Sequence, residues 1–204
     1  SAVLDAGKHL YAEKPLALTL GDADALRAKA ASANLRIGCA PDTVLGAGIQ
    51  TSRRLVDDGW IGRPLFVEAS IVMAVNREQY TSTGVGGVLL DMGPYYISAL
   101  VQLFGPIERV RGAARIPTRT KRAWDEAGEY GRQFVAESPT AAAALLEFRS
   151  GLIGTFTATS DGHHYLPSIR VVGTDGELEV PDPNMFGRDI RISRRGGEPS
   201  IVPF

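Results

Sequence analysis

The stretch TAAAALLEFRSGLIGTFTAT, residues 140–159, decides the fold class of this 204-residue chain. It contains two runs with the composition of β-strands, residues 140–148 and 152–159, joined by the hairpin turn Arg149-Ser150-Gly151. Strands that are joined by so short a turn run antiparallel. The stretch therefore predicts an antiparallel sheet in the second half of the chain.

Further strands are predicted on both sides of this hairpin, and helical spacing predicts two helices before it. The predicted strands cover residues 65–73, 107–116, 168–172, 177–180 and 189–193, with a last strand after Gly197, and the helices cover residues 48–58 and 89–104. We expect these elements to form an α+β domain with a mostly antiparallel sheet that has helices on one face and an open second face.

The first forty residues are organised differently. Residues 9–12 and 35–40 are predicted as short strands, and residues 19–34 between them have apolar side chains at helical spacing. A strand–helix–strand unit with short links indicates a parallel α/β layer. We therefore predict two domains, a small α/β layer over residues 1–41 and a larger domain over residues 42–204.

Composition and charge exclude several functional classes. The 22 Lys and Arg residues balance 23 Asp and Glu residues, so neither a nucleic-acid partner nor an anionic membrane partner is expected. The longest apolar runs, such as residues 141–146, are too short to cross a bilayer. The single Cys39 cannot form an internal disulfide, and the histidines have no metal-ligand spacing, so we expect a cytoplasmic protein without a metal.

The segment Glu13-Lys14-Pro15 follows the first predicted strand. Ligands gather at the carboxyl ends of parallel strands, and an ammonium there could bind a substrate hydroxyl and stabilise negative charge. The alternative is an ordinary Glu–Lys pair on a surface loop, which spacing alone favours.

A second candidate is the segment GGVLLDMGPYY, residues 86–96. If the helix has begun by Asp91, then Asp91 and Tyr95 are one turn apart on the same face, where a carboxylate and a phenol could act together on a substrate hydroxyl. Alternatively, Asp91 caps the helix that Pro94 starts. These two interpretations are compatible.

Segments in the same order resemble motifs of the Gfo/Idh/MocA family of NAD(P)-dependent oxidoreductases. They are AGKHLYAEKPLA (residues 6–17), LVDDGWIGRP (55–64), the GG and DMG of residues 86–93, and GTDGEL (173–178). The resemblance implies a Rossmann domain followed by an α/β domain with a largely antiparallel sheet. Residues 1–41 would then be a remnant of the dinucleotide-binding domain, and residues 42–204 the substrate-binding and oligomerisation domain.

The same resemblance implies hydride transfer between NAD or NADP and a sugar, cyclitol or similar polyol. It places Lys14 beside the nicotinamide and the substrate, and Glu13 and Pro15 in the same cofactor-binding turn. It also places Asp91 and Tyr95 at the reacting hydroxyl, so that Lys14, Asp91 and Tyr95 are the predicted catalytic and substrate-binding residues.

Two departures from the family pattern affect this interpretation. Tyr95 stands where the family usually has a histidine, and a phenol is a weaker base than imidazole at pH 7. The second departure is that the glycine-rich GxGxxG turn is missing from the sequence. The cofactor site is therefore incomplete, and we expect a fragment of a longer enzyme that is inactive alone.

His164 is an auxiliary candidate for substrate binding.

Two other functions stay open from the sequence. One is a glycoside hydrolase of the same fold that uses a retained NAD, and the other is a non-catalytic binding or assembly module. In each case we expect a homo-oligomer, a dimer or a tetramer, formed through the open face of the sheet. We expect that face to be rich in Ala, Leu, Val and Ile.

Overall fold

The computed structural model describes residues 2–74, 86–123, 131–194 and 196–203. The chain divides into two compact units, Ser1–Asp42 and Thr43–Phe204. The helices and strands of the first unit are α1 (Ala2–Asp5), β1 (Leu10–Ala12), α2 (Leu20–Ser32) and β2 (Ile37–Cys39). Strands β1 and β2 are parallel, with Leu10 opposite Ile37, as the strand–helix–strand pattern predicts.

Helix α2 begins where its sequence supplies a cap. The Thr19 hydroxyl accepts a hydrogen bond from the backbone N–H of Asp22 at 3.1 Å, so one of the unpaired N–H groups of the first turn is satisfied. Ala30 is the buried residue of this helix, whereas Leu20 is 86% exposed. Much of the apolar face that the spacing predicts is therefore uncovered within this unit.

The second unit contains a short 3₁₀ turn, three helices and ten strands among its described residues. The turn is Thr43–Leu45, and the helices are α3 (Ala47–Asp57), α4 (Gly87–Asp91) and α5 (Gly93–Phe104). The strands are β3 (Pro64–Val72), β4 (Ile107–Arg115), β5 (Thr120–Arg122), β6 (Gln133–Val135), β7 (Ala141–Phe148), β8 (Ile153–Thr159), β9 (Leu166–Gly173), β10 (Gly176–Val180), β11 (Ile190–Arg194) and β12 (Ser200–Val202).

Eight of these strands form one sheet in the order β12-β11-β10-β9-β3-β8-β7-β4. The predicted hairpin is confirmed, since β7 and β8 are antiparallel with Ala141 opposite Thr159. Strands β3 and β8 are parallel, and the other neighbouring pairs in this sheet are antiparallel. A mixed α/β fold with a mostly antiparallel sheet is therefore confirmed.

The core lies between one face of this sheet and the helices α3 and α5. Strand β3 alternates buried residues, Val67, Ala69 and Ile71, with more exposed ones, as its sequence pattern predicts. Ile49 from α3 and Leu100 from α5 are fully buried in the same core. Burial of each such side chain stabilises the fold by about 1.5–3 kcal/mol.

The opposite face of the sheet is mixed in composition, which corrects the prediction that it is rich in Ala, Leu, Val and Ile. Arg109 and Arg111 on β4 both pair with Glu147 on β7, at 3.1 and 3.8 Å. Thr155 and Thr157 lie on the same face in β8. The difference follows from strand alternation, which directs many of the apolar side chains to the helix-covered face.

Strands β5 and β6 form a separate two-stranded antiparallel sheet that the sequence pattern did not predict. Each strand has three residues, too few to show a period in hydropathy. Among the residues the structure describes, no helix has the length and apolar character needed to span a bilayer.

Candidate functional site

The segment Glu13-Lys14-Pro15 lies at the carboxyl end of β1, as predicted. Lys14 and Pro15 are half-buried, and the Glu13 carboxylate accepts a hydrogen bond from the backbone N–H of Lys14 at 3.2 Å. The backbone N–H of Ala40 donates to the carbonyl of Ala12 at 3.0 Å, which holds the ends of β1 and β2 side by side. The segment therefore occupies the edge of the parallel pair where ligands bind in sheets of this kind.

Cys39 lies beside this segment. Its thiol contacts the carbonyl oxygens of Ala40 at 3.0 Å and Glu13 at 3.5 Å. Burial and the nearby Glu13 carboxylate raise the pKa of the Cys39 thiol. The thiol is therefore protonated at neutral pH, which does not suit a nucleophile.

Asp91 and Tyr95 lie on two successive helices, which corrects the prediction of one helix over residues 89–104. Asp91 is the last residue of α4, and Tyr95 lies in the first turn of α5. The break at Met92 has a physical cause, since Pro94 has no N–H to donate and its ring would clash with the carbonyl four residues earlier. The two side chains are therefore not related by one continuous helical turn.

The alternative interpretation of Asp91 as an N-cap is also wrong. The residue that precedes α5 is Met92, and its side chain makes no capping hydrogen bond. Pro94 does lie at the start of the helix, as that interpretation expected. Asp91 and Tyr95 are both half-buried.

The glycines before Asp91 allow α4 to pack closely against the chain at Pro139. Gly87 has a φ of +60°, and a Cβ there would lie 2.1 Å from the carbonyl oxygen of Pro139. The backbone N–H of Val88 donates to that same oxygen at 3.2 Å. The Gly-Gly pair of the motif therefore anchors the helix that ends at Asp91.

A buried ion pair lies in the second unit, and we did not predict it from the sequence. Lys121 on β5 pairs with Asp161, and the Lys121 side chain is only 3% exposed. Thr140 donates its hydroxyl to the same carboxylate at 2.7 Å. Burial lowers the pKa of the Lys121 ammonium. The scarcity of lysine in this chain was the available clue, but it does not single out Lys121 among the others.

A second polar cluster surrounds the buried Asp182 side chain and includes Tyr165, which is 44% exposed. The Tyr165 hydroxyl donates to its carboxylate at 2.8 Å, and the backbone N–H of Asn184 donates to the other oxygen at 2.9 Å. Burial, together with the hydrogen bond to Asp182, raises the pKa of Tyr165 to about 12. Burial also raises the pKa of Tyr96, whose hydroxyl has no hydrogen-bond partner among the described residues.

His164 lies exposed in the connection between β8 and β9. Its neighbour His163 is exposed too, and it lines a cavity together with Lys121 and Asp161. Among the described residues, no three His, Cys, Asp or Glu side chains are grouped as metal ligands would be.

The predicted site residues are thus divided between the two units. Glu13, Lys14 and Pro15 belong to the first unit, whereas Asp91 and Tyr95 belong to the second, as does His164. Within the second unit, the structure adds the Lys121–Asp161 pair to the polar groups available for binding.

The comparison with known proteins agrees with these motifs. Residues 49–179 match the family model described as the GFO/IDH/MocA C-terminal domain, which is more than half of the chain. The chain belongs to the GFO/IDH/MocA family. The matched region of this family member covers α3, the helix break at Asp91 and most of the large sheet.

Two curated relatives are each 30% identical to this family member. A D-xylose dehydrogenase of Paenarthrobacter nicotinovorans matches over 190 residues, 84% of this chain and 47% of the relative. A dTDP-3,4-didehydro-2,6-dideoxy-alpha-D-glucose 3-reductase of Streptomyces violaceoruber matches over 98% of this chain and 56% of the relative. The chain therefore spans about half the length of the curated relatives it matches.

The fold is shared with solved structures. An NAD binding oxidoreductase from Klebsiella pneumoniae superposes with a TM-score of 0.81 at 22% identity, over 98% of this chain and 55% of that one. This likeness establishes the architecture of the GFO/IDH/MocA chain.

Proposed function

We propose that this chain is part of an oxidoreductase that transfers a hydride between NAD or NADP and a CH–OH group of a sugar, cyclitol or similar polyol. The observation that carries the proposal is the 30% identity to a relative named D-xylose dehydrogenase. The other curated relative is named as a sugar reductase, which supports the same reaction class. Both names favour oxidoreduction over the glycoside hydrolase and the non-catalytic module.

We assign the two units different parts in this reaction. Residues 1–41 supply part of the cofactor-binding domain, and residues 42–204 bind the substrate and a second copy of the protein. The nicotinamide end of the cofactor fits the carboxyl edge of β1 and β2, where Glu13, Lys14 and Pro15 lie. The GxGxxG turn that would hold the pyrophosphate is not in this sequence.

Glu13, Lys14 and Pro15 would hold the nicotinamide, which would supply the hydride acceptor for the substrate carbon or the hydride donor in the reverse direction. The residues of this chain bind the hydroxyl that becomes a carbonyl and take up its proton. Asp91 accepts a hydrogen bond from that hydroxyl and orients it. The Lys14 ammonium stabilises negative charge on the oxygen, and Tyr95 takes or relays the proton. His164 contacts a hydroxyl away from the reacting carbon.

The oligomeric state and the cellular location of the protein are also proposals. We expect a homo-oligomer formed through the open face of the large sheet, because an exposed sheet face with apolar residues is commonly covered by a second subunit. A cytoplasmic location fits the lone Cys39, whose thiol is free in the structure. The choice between NAD and NADP depends on the groups that hold the cofactor ribose.

The test is a coupled measurement of sugar oxidation by the full-length protein. Purified protein is supplied with NAD⁺ or NADP⁺ and a panel of D-xylose, D-glucose, levoglucosan and myo-inositol, and formation of reduced nicotinamide is followed by absorbance. We expect at least one of these to be oxidised with stoichiometric reduction of the cofactor. Hydrolysis of a glycoside without net cofactor reduction would instead support the hydrolase.

The role of Lys14 is tested in the same assay with a matched pair of variants. Lys14→Met should lower kcat by about 10²–10³-fold, because the stabilisation of negative charge on the reacting oxygen is lost. Lys8→Met, which removes an exposed lysine six residues earlier in the same unit, should leave kcat unchanged. Equal activity of both variants would remove Lys14 from the mechanism.

A further inference from the structure

A cavity of about 550 Å³ lies in the second unit at the amino ends of β3 and β8. The start of β3, the end of α5 and the turn between β7 and β8 meet there. Tyr95 and Phe104 lie at opposite ends of α5, about 14 Å apart along its axis, and Phe104 is the one that lines the cavity. The cavity is therefore separate from the residues to which we assign the hydride transfer.

Much of the cavity lining is apolar. It includes the side chains of Val56, Leu65, Leu103, Phe104 and Leu152. Leu65 is 43% exposed, so part of this lining is open to solvent, whereas Phe104 is held in place by an edge-on contact with the ring of Phe148 at 5.9 Å. An apolar group that entered the cavity would gain free energy by removing this surface from water.

Two arginines, Arg53 and Arg63, also line the cavity, and no Asp or Glu does among the described residues. Arg53 pairs with Asp57 at 2.6 Å, so its charge is compensated just outside the cavity. Arg53 also donates to the backbone carbonyl of Gln102 in the last turn of α5, which offsets the partial negative charge at that helix end. A guanidinium has more N–H donors than these contacts use, so Arg53 can still donate to a ligand.

Arg63 supplies a positive charge that is not compensated. Its backbone is fixed by Thr174, whose hydroxyl accepts from the N–H of Arg63 and whose N–H donates to the carbonyl of Arg63, both at 3.0 Å. Arg63 is exposed, and its guanidinium makes no ion pair within the part of the chain that the structure describes. Asp175 on the same hairpin accepts from the Thr174 hydroxyl at 3.2 Å and does not line the cavity. The charge of the lining therefore favours an anion.

The combination of charge and apolar surface distinguishes between ligand classes. A small inorganic anion would use the charge of Arg63 and leave the apolar lining in water, whereas a neutral alkyl chain would cover the lining and leave the charge unused. A carboxylate on an apolar body uses both, and a guanidinium can bind a carboxylate through two parallel hydrogen bonds. The Ser150 hydroxyl, which accepts from the N–H of Leu152 at 3.4 Å, keeps its own proton to donate to such a ligand.

We propose that this cavity binds a small organic acid, with its carboxylate on Arg63 and its apolar body against Leu65 and Phe104. The volume of about 550 Å³ lies within the range of small-molecule sites, roughly 300–1,000 Å³. Such a ligand is not the polyol of the proposed reaction. The proposal therefore adds a second ligand class to this protein and does not depend on the proposed function.

The first experiment compares three ligands by isothermal titration calorimetry of the full-length protein. The probe is octanoate, 1-octanol has a chain of the same length without the charge, and acetate has the charge without the chain. We expect saturable binding of octanoate, and we expect each of the other two to bind about tenfold more weakly or worse. Absence of saturable octanoate binding would overturn the proposal, and so would equal affinity for octanoate and either of the other ligands.

The second experiment locates the bound carboxylate with matched variants. Arg63→Met should raise the Kd for octanoate by about tenfold or more, the loss expected for a hydrogen bond between charged groups. Arg149→Met removes another exposed arginine, next to Ser150 but outside the cavity lining, and should bind octanoate as the unchanged protein does. Circular dichroism checks that both variants fold.

Unchanged affinity in folded Arg63→Met, or an equal loss in Arg149→Met, would overturn the proposal. Lys14→Met tests the alternative that octanoate binds at the predicted cofactor edge. Weaker binding in Lys14→Met with unchanged binding in Arg63→Met would place the carboxylate at that edge and overturn the proposal as well. No sugar oxidation enters these measurements, so failure of the proposed function would leave their result intact.

Discussion

Tyr95 lies in the first turn of α5, and we propose that it is the general base of the reaction. An ordinary phenol has a pKa near 10 and imidazole one near 6.5, so the two groups become bases over different pH ranges. In the full-length protein, Tyr95→His should therefore shift the acid limb of the kcat/KM profile to lower pH. The measurement is the pH dependence of sugar oxidation for both proteins.

The control for this variant is Tyr95→Phe, which keeps the ring and removes the hydroxyl. It should lower kcat by about 10²-fold or more if the hydroxyl transfers the proton. Full activity in Tyr95→Phe would show that another group takes the proton, in which case Tyr95→His would leave the acid limb where it is.

Ionisation of Tyr165 should make the free energy of unfolding depend on pH. Its pKa is raised to about 12 in the folded chain, chiefly by burial and also by the hydrogen bond to Asp182, against about 10 for a free phenol. A raised pKa means that the contribution of Tyr165 is complete below pH 10 and is lost as the pH rises towards 12. Urea unfolding at several pH values should therefore show the unchanged chain more stable than Tyr165→Phe near neutral pH, by about 1 kcal/mol.

The difference between these two proteins should shrink above pH 10, because the ionised Tyr165 no longer donates to Asp182. Parallel stability curves from pH 7 to 12 would contradict this account. They would mean that the hydrogen bond contributes nothing beyond the packing of the ring.

At this scale, the sequence proposes residues that stand in recognisable motifs and gives no sign of residues that packing brings together. Lys14 is predicted because it follows the first strand, and Asp91 because it is four residues before Tyr95 in a segment that resembles a family motif. Lys121 and Asp161 are forty residues apart and have no motif around them. Only the three-dimensional structure brings them together in a buried pair.

At the scale of elements, α4 depends on the absence of a side chain at its first residue. A Cβ at Gly87 would lie 2.1 Å from the Pro139 oxygen, and the φ of +60° is itself unfavourable for other residues. The left-handed conformation alone costs a residue other than glycine about 1–2 kcal/mol. Gly87→Ala should therefore lower the free energy of unfolding by more than this amount. Urea denaturation of the chain measures this change.

Gly59 is the matched control, because it has a φ of +73° but nothing within 4 Å of its added Cβ. Gly59→Ala should cost only the conformational part, about 1–2 kcal/mol. Equal losses in the two variants would show that the close approach to Pro139 has no energetic importance.

The elements that were predicted best from the sequence are those long enough to show a periodic pattern of apolar residues. The β7–β8 hairpin and helix α3 were placed within a residue or two of their structural bounds. The break between α4 and α5 was missed because residues 89–104 keep a helical hydropathy pattern across it. Pro94 marked the start of a helix but was not recognised as the cause of the break.

At the scale of the whole molecule, two surfaces of the second unit expose apolar side chains. On the open face of the sheet, Phe66, Leu145 and Ile153 lie close together, flanked by the Arg109–Glu147 ion pair. On the helix-covered side, a groove of about 890 Å³ runs between α5 and the edge strand β4. Val110 is 58% exposed in this groove.

The two surfaces make different predictions for self-association. Ile153 is 47% exposed on the open face, so Ile153→Glu would place a charge in an interface that the two-fold symmetry of a dimer doubles. We expect this variant to raise the dimer dissociation constant by about tenfold or more, since a charge left unpaired in an interface costs several kcal/mol. Val110→Glu is its matched control, with the same change on the groove, and should associate as the unchanged protein does. Light scattering over a range of concentrations distinguishes the two surfaces. Dissociation of Val110→Glu alone would show that the interface is the groove. An unchanged protein that stays monomeric at every concentration would exclude both surfaces.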